Sequence, residues 1–484
     1  MRAAAVVLLG LVLATNIYRA ATQSVTHDEA LTYELFAAQP WCVVFHSYDA
    51  NHHVLYTILC KIATGILGAG TFSLRLPSLL AGGLFFWTVY RICDRLWDGK
   101  WLFLLAVALL ALNPYVLDFL SAARGYGMAV AFFFVTLWEL LEWMREPKKG
   151  RMALAGVALG LSVSANLVLA PPAAGLAVPF LFVIAEQRRT FVPQVKMSKK
   201  GAKKAEPNPN PGVGQGIVWF GLPCALTAWF ILASPLSNAE QSQFYFGAAS
   251  LAQAASSLGR SSFPALPGWF GDWAAYLALP AILAGSAAAV WRAARNWPRA
   301  TLAARSAVLT GGALLGAFLI VVFAHVALDV PYPEGRTALY WIPIGTLTAL
   351  GLVLQPGRGS AILAAPMALC VALYATGWRT SSYADWLYDA DGSAVMHAIE
   401  AQRASAGGSA PGKFRVAGSW QLEPGVNFYR VSRKLDWMAE MERGVPAAGF
   451  DAYVLLPQDA HFAGDLHLKI VYRGSRSGTI VAAP

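Results

Sequence analysis

Charge is what this chain of 484 residues has least of: Asp, Glu, Lys and Arg make up only 13% of it, against 57% hydrophobic residues. A soluble globular protein carries about 25% charged residues, so a soluble fold is excluded and a multi-span membrane protein is implied. Cysteine is also scarce. The five present (Cys42, Cys60, Cys93, Cys224 and Cys370) show no CxxC and no zinc spacing, which removes a metal-ribbon reading. Cys42 and Cys60 fall on the same side and are the pair placed to bridge, although burial as small apolar residues is the favoured expectation. No internal repeat is evident, and the last hundred residues contain neither a GxGxxG nor a P-loop. Two features are abundant. Seventeen Trp and seventeen Tyr suit the interfacial belts of a membrane protein. The net charge of +10 would suggest nucleic acid in a soluble chain; here it suits cytoplasmic loops.

In chain order, Met1 to Ala21 has one early Arg and an apolar run. That also describes a signal peptide, but further spans follow, so a retained first span is expected. Residues 22–73 form a long first loop with two helical pieces, 28–38 and 53–67, the second an apolar helix along the interface. Later spans are expected near 75–93, 101–119, 126–144, 152–169, 171–186, 214–234, 273–291, 307–328, 338–354 and 361–377, each approaching the ~20 residues a crossing needs. With the first, that makes eleven. Basic clusters fall on alternate loops: Arg91, Arg95 and Lys100; Arg145, Lys148, Lys149 and Arg151; 188–204; and Arg292, Arg295, Arg299 and Arg305. By the positive-inside rule these loops, the amino terminus included, are cytoplasmic. The first loop and everything after Trp378 are then extracytoplasmic, in the plasma (inner) membrane. Within the cytoplasmic stretch 187–213, the basic, Pro- and Asn-rich part from Lys196 to Gly212 reads as a disordered linker. The outer loop 235–272, with Phe244-Tyr245-Phe246, is placed to cover a site.

After Trp378 the pattern changes to strands near 414–420, 452–457, 468–472 and 479–482, with helices over 393–406 and 435–443. The expected fold is therefore an all-α polytopic membrane domain (1–377), with amphipathic helices in its first outer loop, and a soluble α/β domain (378–484).

The chemistry concentrates on the outer side. Thr26-His27-Asp28-Glu29 opens the first loop, and two carboxylates beside a histidine at a membrane boundary are costly without a task. Asp49, Asn51, His52 and His53 follow. Arg124 and Tyr126 open the fourth span just after Asp118, and Asp329, Glu334, Arg336 and Tyr340 precede the tenth. A candidate base with isolated arginines suits a phosphate-bearing lipid, because the guanidinium fork binds phosphate oxygens bidentately. An Asp beside a second carboxylate, partly desolvated, is expected to have a raised pKa. The bland alternatives are a helix amino-terminal pair capped by Thr26, histidines at headgroups, and arginines snorkelling from helix ends. A divalent ion on His27, Asp49 and His53 is a further alternative, with spacing that is not diagnostic.

The order of motifs resembles a known family: the Asp-Glu pair at 28–29, Asn-His-His-x-Leu-Tyr at 51–56, Arg-Leu-Pro-Ser-Leu-Leu-Ala-Gly at 75–82, Ala-Arg-Gly-Tyr-Gly at 123–127 and Arg-Thr-Ala-Leu-Tyr at 336–340. It is similar to the GT-C glycosyltransferases, in the branch of protein mannosyltransferases and lipid A aminoarabinose transferases. The resemblance implies a GT-C fold and an inverting transfer of a sugar from a polyprenyl monophosphate to an acceptor hydroxyl (protein, lipid or glycan), with no metal or other cofactor. It implies Asp28 as the base, with Glu29 tuning or orienting it. Arg124 and Arg336 would bind the lipid phosphate. His27, Asn51, His52, His53, Tyr126 and Tyr340 would line the substrate cavity. Two positions depart from the family pattern. Ala123 stands where relatives often have an acidic residue, with Asp118 as its nearest substitute, and Val54-Leu55 stand where many have prolines. The rival class is a polytopic transporter or lipid flippase, which calls for mid-bilayer charges and inverted repeats.

Overall fold

The first apolar run folds as a single helix, α1 (Arg2–Thr22). The structure is a computed structural model and describes every residue except 192–194, 198–202, 206–207, 244–245, 354–358, 406–412 and 445. Among the described residues seven helices are long and apolar enough to cross a membrane: Arg2–Thr22, Thr71–Trp97, Gly125–Arg145, Leu167–Arg189, Val213–Leu236, Gly268–Arg299 and Leu302–Leu328. The chain is a multi-pass membrane protein. The other four expected spans correspond to shorter helices, Trp101–Ala111, Lys149–Ala165, Trp341–Val353 and Gly359–Thr376, so helix length by itself supports seven crossings of the eleven.

The first loop is helical, as its pattern predicts. α2 (His27–Thr32) runs into one π-helical turn, Tyr33–Ala37, and α3 (Val54–Leu67) follows a short extra helix, Trp41–His46. Next, α4 (Thr71–Trp97) packs against both α1 and α3. The expected continuous span 101–119 is broken. Asn113 accepts hydrogen bonds from the backbone N–H groups of Tyr115 and Val116, both at 3.1 Å, and starts a separate helix, α5 (Pro114–Phe119). An Asn cap with proline in the first helical position is a strong local start signal, and it overrides the apolar run. The tight turn after α5 leads to α6 (Gly125–Arg145). Glycine is required at its start: a Cβ on Gly125 would lie 2.0 Å from the Ala165 carbonyl oxygen and 2.8 Å from the His53 Cβ.

The linker is partly ordered, against expectation: β1 (Val195–Met197) and β2 (Lys203–Ala205) pair antiparallel, and the rest of 198–207 lies outside the described residues. So do Phe244 and Tyr245. Cys42 is exposed, while Cys60 is buried and its thiol faces the Leu74 carbonyl at 3.1 Å. The bridge between them is not formed.

After Trp378 the four expected strands form one sheet in the order β3 (Val416–Gly418), β4 (Ala452–Leu455), β6 (Ile480–Ala483), β5 (Lys469–Arg473). β3 and β4 are parallel and the other pairs antiparallel. The helix over 392–405 is present, but the one expected over 435–443 is not. That stretch turns over 435–438 and then makes a single bridge to Phe414, through Phe414 N–H to the Trp437 carbonyl at 2.8 Å and Ala439 N–H back to Phe414 at 2.9 Å. The helix lies earlier, as α7 (Glu423–Ser432) with Pro424 in its first turn, and Lys434 in a left-handed conformation (φ 54°) marks the turn that follows it. A continuous apolar core joins membrane helices to this domain, running from Val25 and Tyr115 through Trp386 to Val395, Val426 and Phe428.

Candidate active site

The stretch Thr26 to Glu29 splits into two jobs. Thr26 caps α2, its hydroxyl accepting from the Glu29 N–H (3.3 Å) while the Glu29 carboxylate accepts from the Thr26 N–H (2.8 Å). This reciprocal pair is a capping box. Glu29 then turns inward to Arg75, whose Nε and Nη2 reach its two carboxylate oxygens at 2.8 and 2.6 Å. Both side chains are fully buried. The remaining Arg75 donors go to the carbonyls of Ala20, Gln23 and Ser24 at the end of α1, so no donor is left unsatisfied. Glu29 also accepts from the Ala123 N–H, which fixes the backbone just before Arg124. Glu29 is therefore an organiser that ties α1, α2, α4 and the Arg124 turn together, a placement suited to orienting the helix that carries Asp28.

Asp28 faces the other way. Its Oδ2 lies 2.9 Å from Arg336 Nη1 and 3.8 Å from Arg124 Nη2. Burial pushes its carboxyl up, but the charges of Arg124 and Arg336, with His27 adding to them, outweigh burial and hold it below the ordinary carboxylate range. The raised pKa expected from an adjacent carboxylate is thus overturned, since Glu29 is neutralised by Arg75 and the arginines dominate. Arg124 is almost completely buried; it donates to the Asp28 carbonyl (3.3 Å), the Thr32 hydroxyl (3.0 Å) and Asn51 Oδ1 (2.9 Å). Arg336 is more open, its side chain 23% exposed, and packs over the rings of Phe246 and Trp386 at 5.0 and 5.8 Å. Burial works against its charge, but Asp28 nearby keeps it firmly protonated.

His53 is buried edge-on against Tyr126, at 5.0 Å between ring centres. Burial, with both arginines adding to it, depresses its pKa far below the usual value, so it is a neutral imidazole whose Nε2 has no partner. His52 stacks on Phe36 at 4.1 Å and pairs with the Ser47 carbonyl at 2.9 Å; burial lowers it to about 4. Asn51, His53, Arg124, Tyr126 and Arg336 are thus gathered around Asp28.

Three expected positions are not where the sequence places them. The His27 ring binds the Gln421 carbonyl (Nδ1 to O 2.6 Å) and meets Trp420 edge-on, so it docks against the carboxy-terminal domain. Tyr340 is buried in the core against Trp341. Asp118 does not serve in place of an acidic residue at 123; it pairs with Arg19 and accepts from the Ala384 N–H at 2.8 Å. Among the described residues no three His, Cys, Asp or Glu side chains converge as metal ligands, and with His27 turned away the His27, Asp49, His53 trio is not assembled.

Two residues were missed. Trp386 lies beneath the Arg336 guanidinium, which is 5.8 Å from its ring centre. Asp385, exposed at the rim, accepts from Tyr115 Oη at 3.0 Å; the protein packed around it pushes its carboxyl up to about 6. Both follow the last apolar helix, where only a change of composition was visible. Beside the Arg336 turn, Gly335–Ala338, lies an apolar cavity of about 390 Å³ whose walls include Leu251, Leu258, Phe318, Tyr332, Trp341 and Tyr374. Pro333 and Ala338 flank the arginine and also line it.

This arrangement can be set beside known proteins. The family model for dolichyl-phosphate-mannose-protein mannosyltransferases matches residues 51–198, a stretch that holds Asn51, His52, His53, Arg124 and Tyr126 but stops short of Asp28 and Arg336. It supports the resemblance to GT-C glycosyltransferases drawn from the motifs. No curated protein matches the sequence. Among solved structures the chain is similar to ArnT from Cupriavidus metallidurans bound to undecaprenyl phosphate (16% identity, 99% of this chain, 97% of that one, TM-score 0.44). It is also similar to the arabinosyltransferase EmbB from Mycobacterium smegmatis (13%, 88% and 42%, TM-score 0.43). A third is the arabinofuranosyltransferase AftD from mycobacteria (14%, 100% and 41%, TM-score 0.45). These overall likenesses are shallow, and the function proposed below rests on the chain's own residues and on the family match.

Proposed function

We propose that the chain is an inverting glycosyltransferase that moves one sugar from a polyprenyl monophosphate to an acceptor hydroxyl at the extracytoplasmic face of the membrane. The observation that carries this reading is the Asp28 carboxylate held against Arg336 beside an apolar cavity. A carrier would lay part of its isoprenoid chain in that cavity and bring its phosphate to Arg336, the arginine open to a ligand. Arg124, enclosed by Thr32, Asn51 and the Asp28 carbonyl, orients Asp28 and adds positive charge. In the step itself the acceptor O–H proton goes to Asp28, its oxygen bonds to the anomeric carbon, and the sugar–phosphate C–O bond breaks on the opposite face. The phosphate keeps that electron pair, and the arginines stabilise the charge developing there. The polar groups cluster around the first loop rather than along the spans, which favours transfer over transport. The alternating basic loops support a cytoplasmic amino terminus and an extracytoplasmic carboxy-terminal domain.

The test uses the full chain in lipid nanodiscs with labelled polyprenyl monophosphate sugars. Asp28→Asn should abolish transfer while leaving folding and abundance intact; unchanged activity removes Asp28 as the base. Since the arginines already provide the positive charge, transfer should persist with excess EDTA.

A further inference from the structure

The segment after the last apolar helix is fastened to α5 and the turn behind it at successive residues. Tyr383 Oη pairs with Ser121 Oγ at 3.0 Å, the Ala384 N–H donates to Asp118 at 2.8 Å, and the Tyr115 hydroxyl donates to Asp385 Oδ2 at 3.0 Å. Trp386 then packs edge-on against Phe119, ring centres 5.7 Å apart. Asp385 is thereby fixed at an exposed position, and among the described residues its Oδ1 takes no hydrogen bond. It stands beside the Arg336 turn. The Tyr115 hydroxyl is 3.2 Å from where a Cβ on Gly335 would lie, and the Arg336 guanidinium sits over the Trp386 ring at 5.8 Å. The half-exposed ring of Phe246 meets the same guanidinium at 5.0 Å.

The transfer step uses Asp28, Arg124 and Arg336 and gives Asp385 no task. A carboxylate fixed beside an arginine that takes a phosphate cannot itself hold that phosphate, because like charges repel. Its ligand must be an uncharged part of the same donor. The sugar hangs directly from the phosphate, so a phosphate at Arg336 brings the sugar to this rim. There it meets an aromatic ring and one free carboxylate oxygen, a largely apolar wall with a single well-placed polar group. An ionised carboxylate makes strong hydrogen bonds to hydroxyl donors. We infer that Asp385 binds a hydroxyl group of the sugar carried by the lipid donor and so helps decide which sugar the site accepts. The inference rests on the transfer reading for the nature of the donor. A site built to bond a substrate hydroxyl rejects an analogue lacking it far better than an apolar pocket can.

The test is calorimetric titration of the full chain in lipid nanodiscs with three probes: bare polyprenyl monophosphate, and the same carrier bearing mannose or arabinofuranose. Asp385→Asn keeps an oxygen for the Tyr115 hydroxyl but loses the charged acceptor. It should weaken binding of the sugar-bearing carrier that wild type holds best by about tenfold, with the bare carrier bound at least as tightly as before. In turnover, KM for that donor should rise while kcat stays close to wild type, the pattern of a contact made equally in ground and transition states. Equal losses for bare and sugar-bearing carriers, or no loss for either, overturn the assignment. A wild-type chain that transfers no sugar defeats the transfer reading, while the binding comparison still decides the contact.

Discussion

At the scale of single residues, the central fact is that Asp28 already occupies the arginine a phosphate would need. Its Oδ2 sits 2.9 Å from Arg336, so a carrier phosphate must share that guanidinium or displace the carboxylate. Removing the charge in Asp28→Asn should therefore abolish transfer, a loss of about 10²–10⁴-fold for a general base, yet tighten binding of the bare polyprenyl monophosphate by about tenfold, the size of one charge-assisted contact released. Calorimetric titration of the carrier into wild type and variant would show it; weaker binding in Asp28→Asn would mean that Asp28 helps hold the lipid. The same geometry sets the pH dependence. Because the arginines depress the Asp28 pKa, the base stays ionised as pH falls through the ordinary carboxylate range, about 4, and activity should not decline with it there. Asp385, pushed up to about 6, ionises as pH rises through that value, so any inflection in rate near pH 6 should vanish in Asp385→Asn and persist in wild type. How these roles divide was half visible in the sequence. Asp28, Arg124 and Arg336 stood out by residue type and by loop side. Neighbouring helical residues project in different directions, so Asp28 and Glu29 had to part. Thr26-His27-Asp28-Glu29 spells the capping box, which was the available sign that Glu29 belonged to the scaffold.

At the scale of elements, the site is held by α2 against α4. In the sequence Arg75 is the first residue of the 75–82 motif at the head of a span; in the fold it is the fully buried partner of Glu29 and also collects three carbonyls at the end of α1. Breaking such a pair strands a buried charge and costs about 3–5 kcal/mol. Glu29→Gln or Arg75→Met should lower the apparent melting temperature sharply, and the double variant should recover part of the loss because no lone charge remains; a double variant no more stable than the worse single one would argue against the pairing. Gly125→Ala should fail for a different reason, since its methyl would meet the Ala165 carbonyl at 2.0 Å and push α6 away from His53. Where local chemistry rules, as at Asn113-Pro114, the break is written in the sequence. Where a distant backbone contact rules, as in the single bridge between Phe414 and Met438, it is not, and the helical pattern over 435–443 misleads.

At the scale of the whole molecule, composition was enough to show a multi-pass helical protein and a tail of mixed character, because low charge and alternating basic loops are properties of sequence alone. It was not enough to show that the tail is built into the site, since that depends on contacts between residues hundreds of positions apart. Ser24 Oγ meets the Ala390 carbonyl at 3.1 Å, Val25 N–H donates to Tyr429 Oη at 3.0 Å, and His27 N–H to Asp389 at 2.7 Å. The first loop therefore has its backbone hydrogen bonds completed by the other domain. Asp389 is fully buried with its pKa raised well above the ordinary value, burial being the main cause. Replacing it with Ala leaves the His27 N–H without its acceptor, a cost of about 1–3 kcal/mol for an unsatisfied buried group. Amide exchange in Asp389→Ala should then quicken at Val25 and His27 while the amides of α6 keep their protection. Transfer should fall with it, because the helix that carries Asp28 has lost its outer anchor. Unchanged exchange at His27 would mean that α2 is held from the membrane side alone, by Glu29 and Arg75.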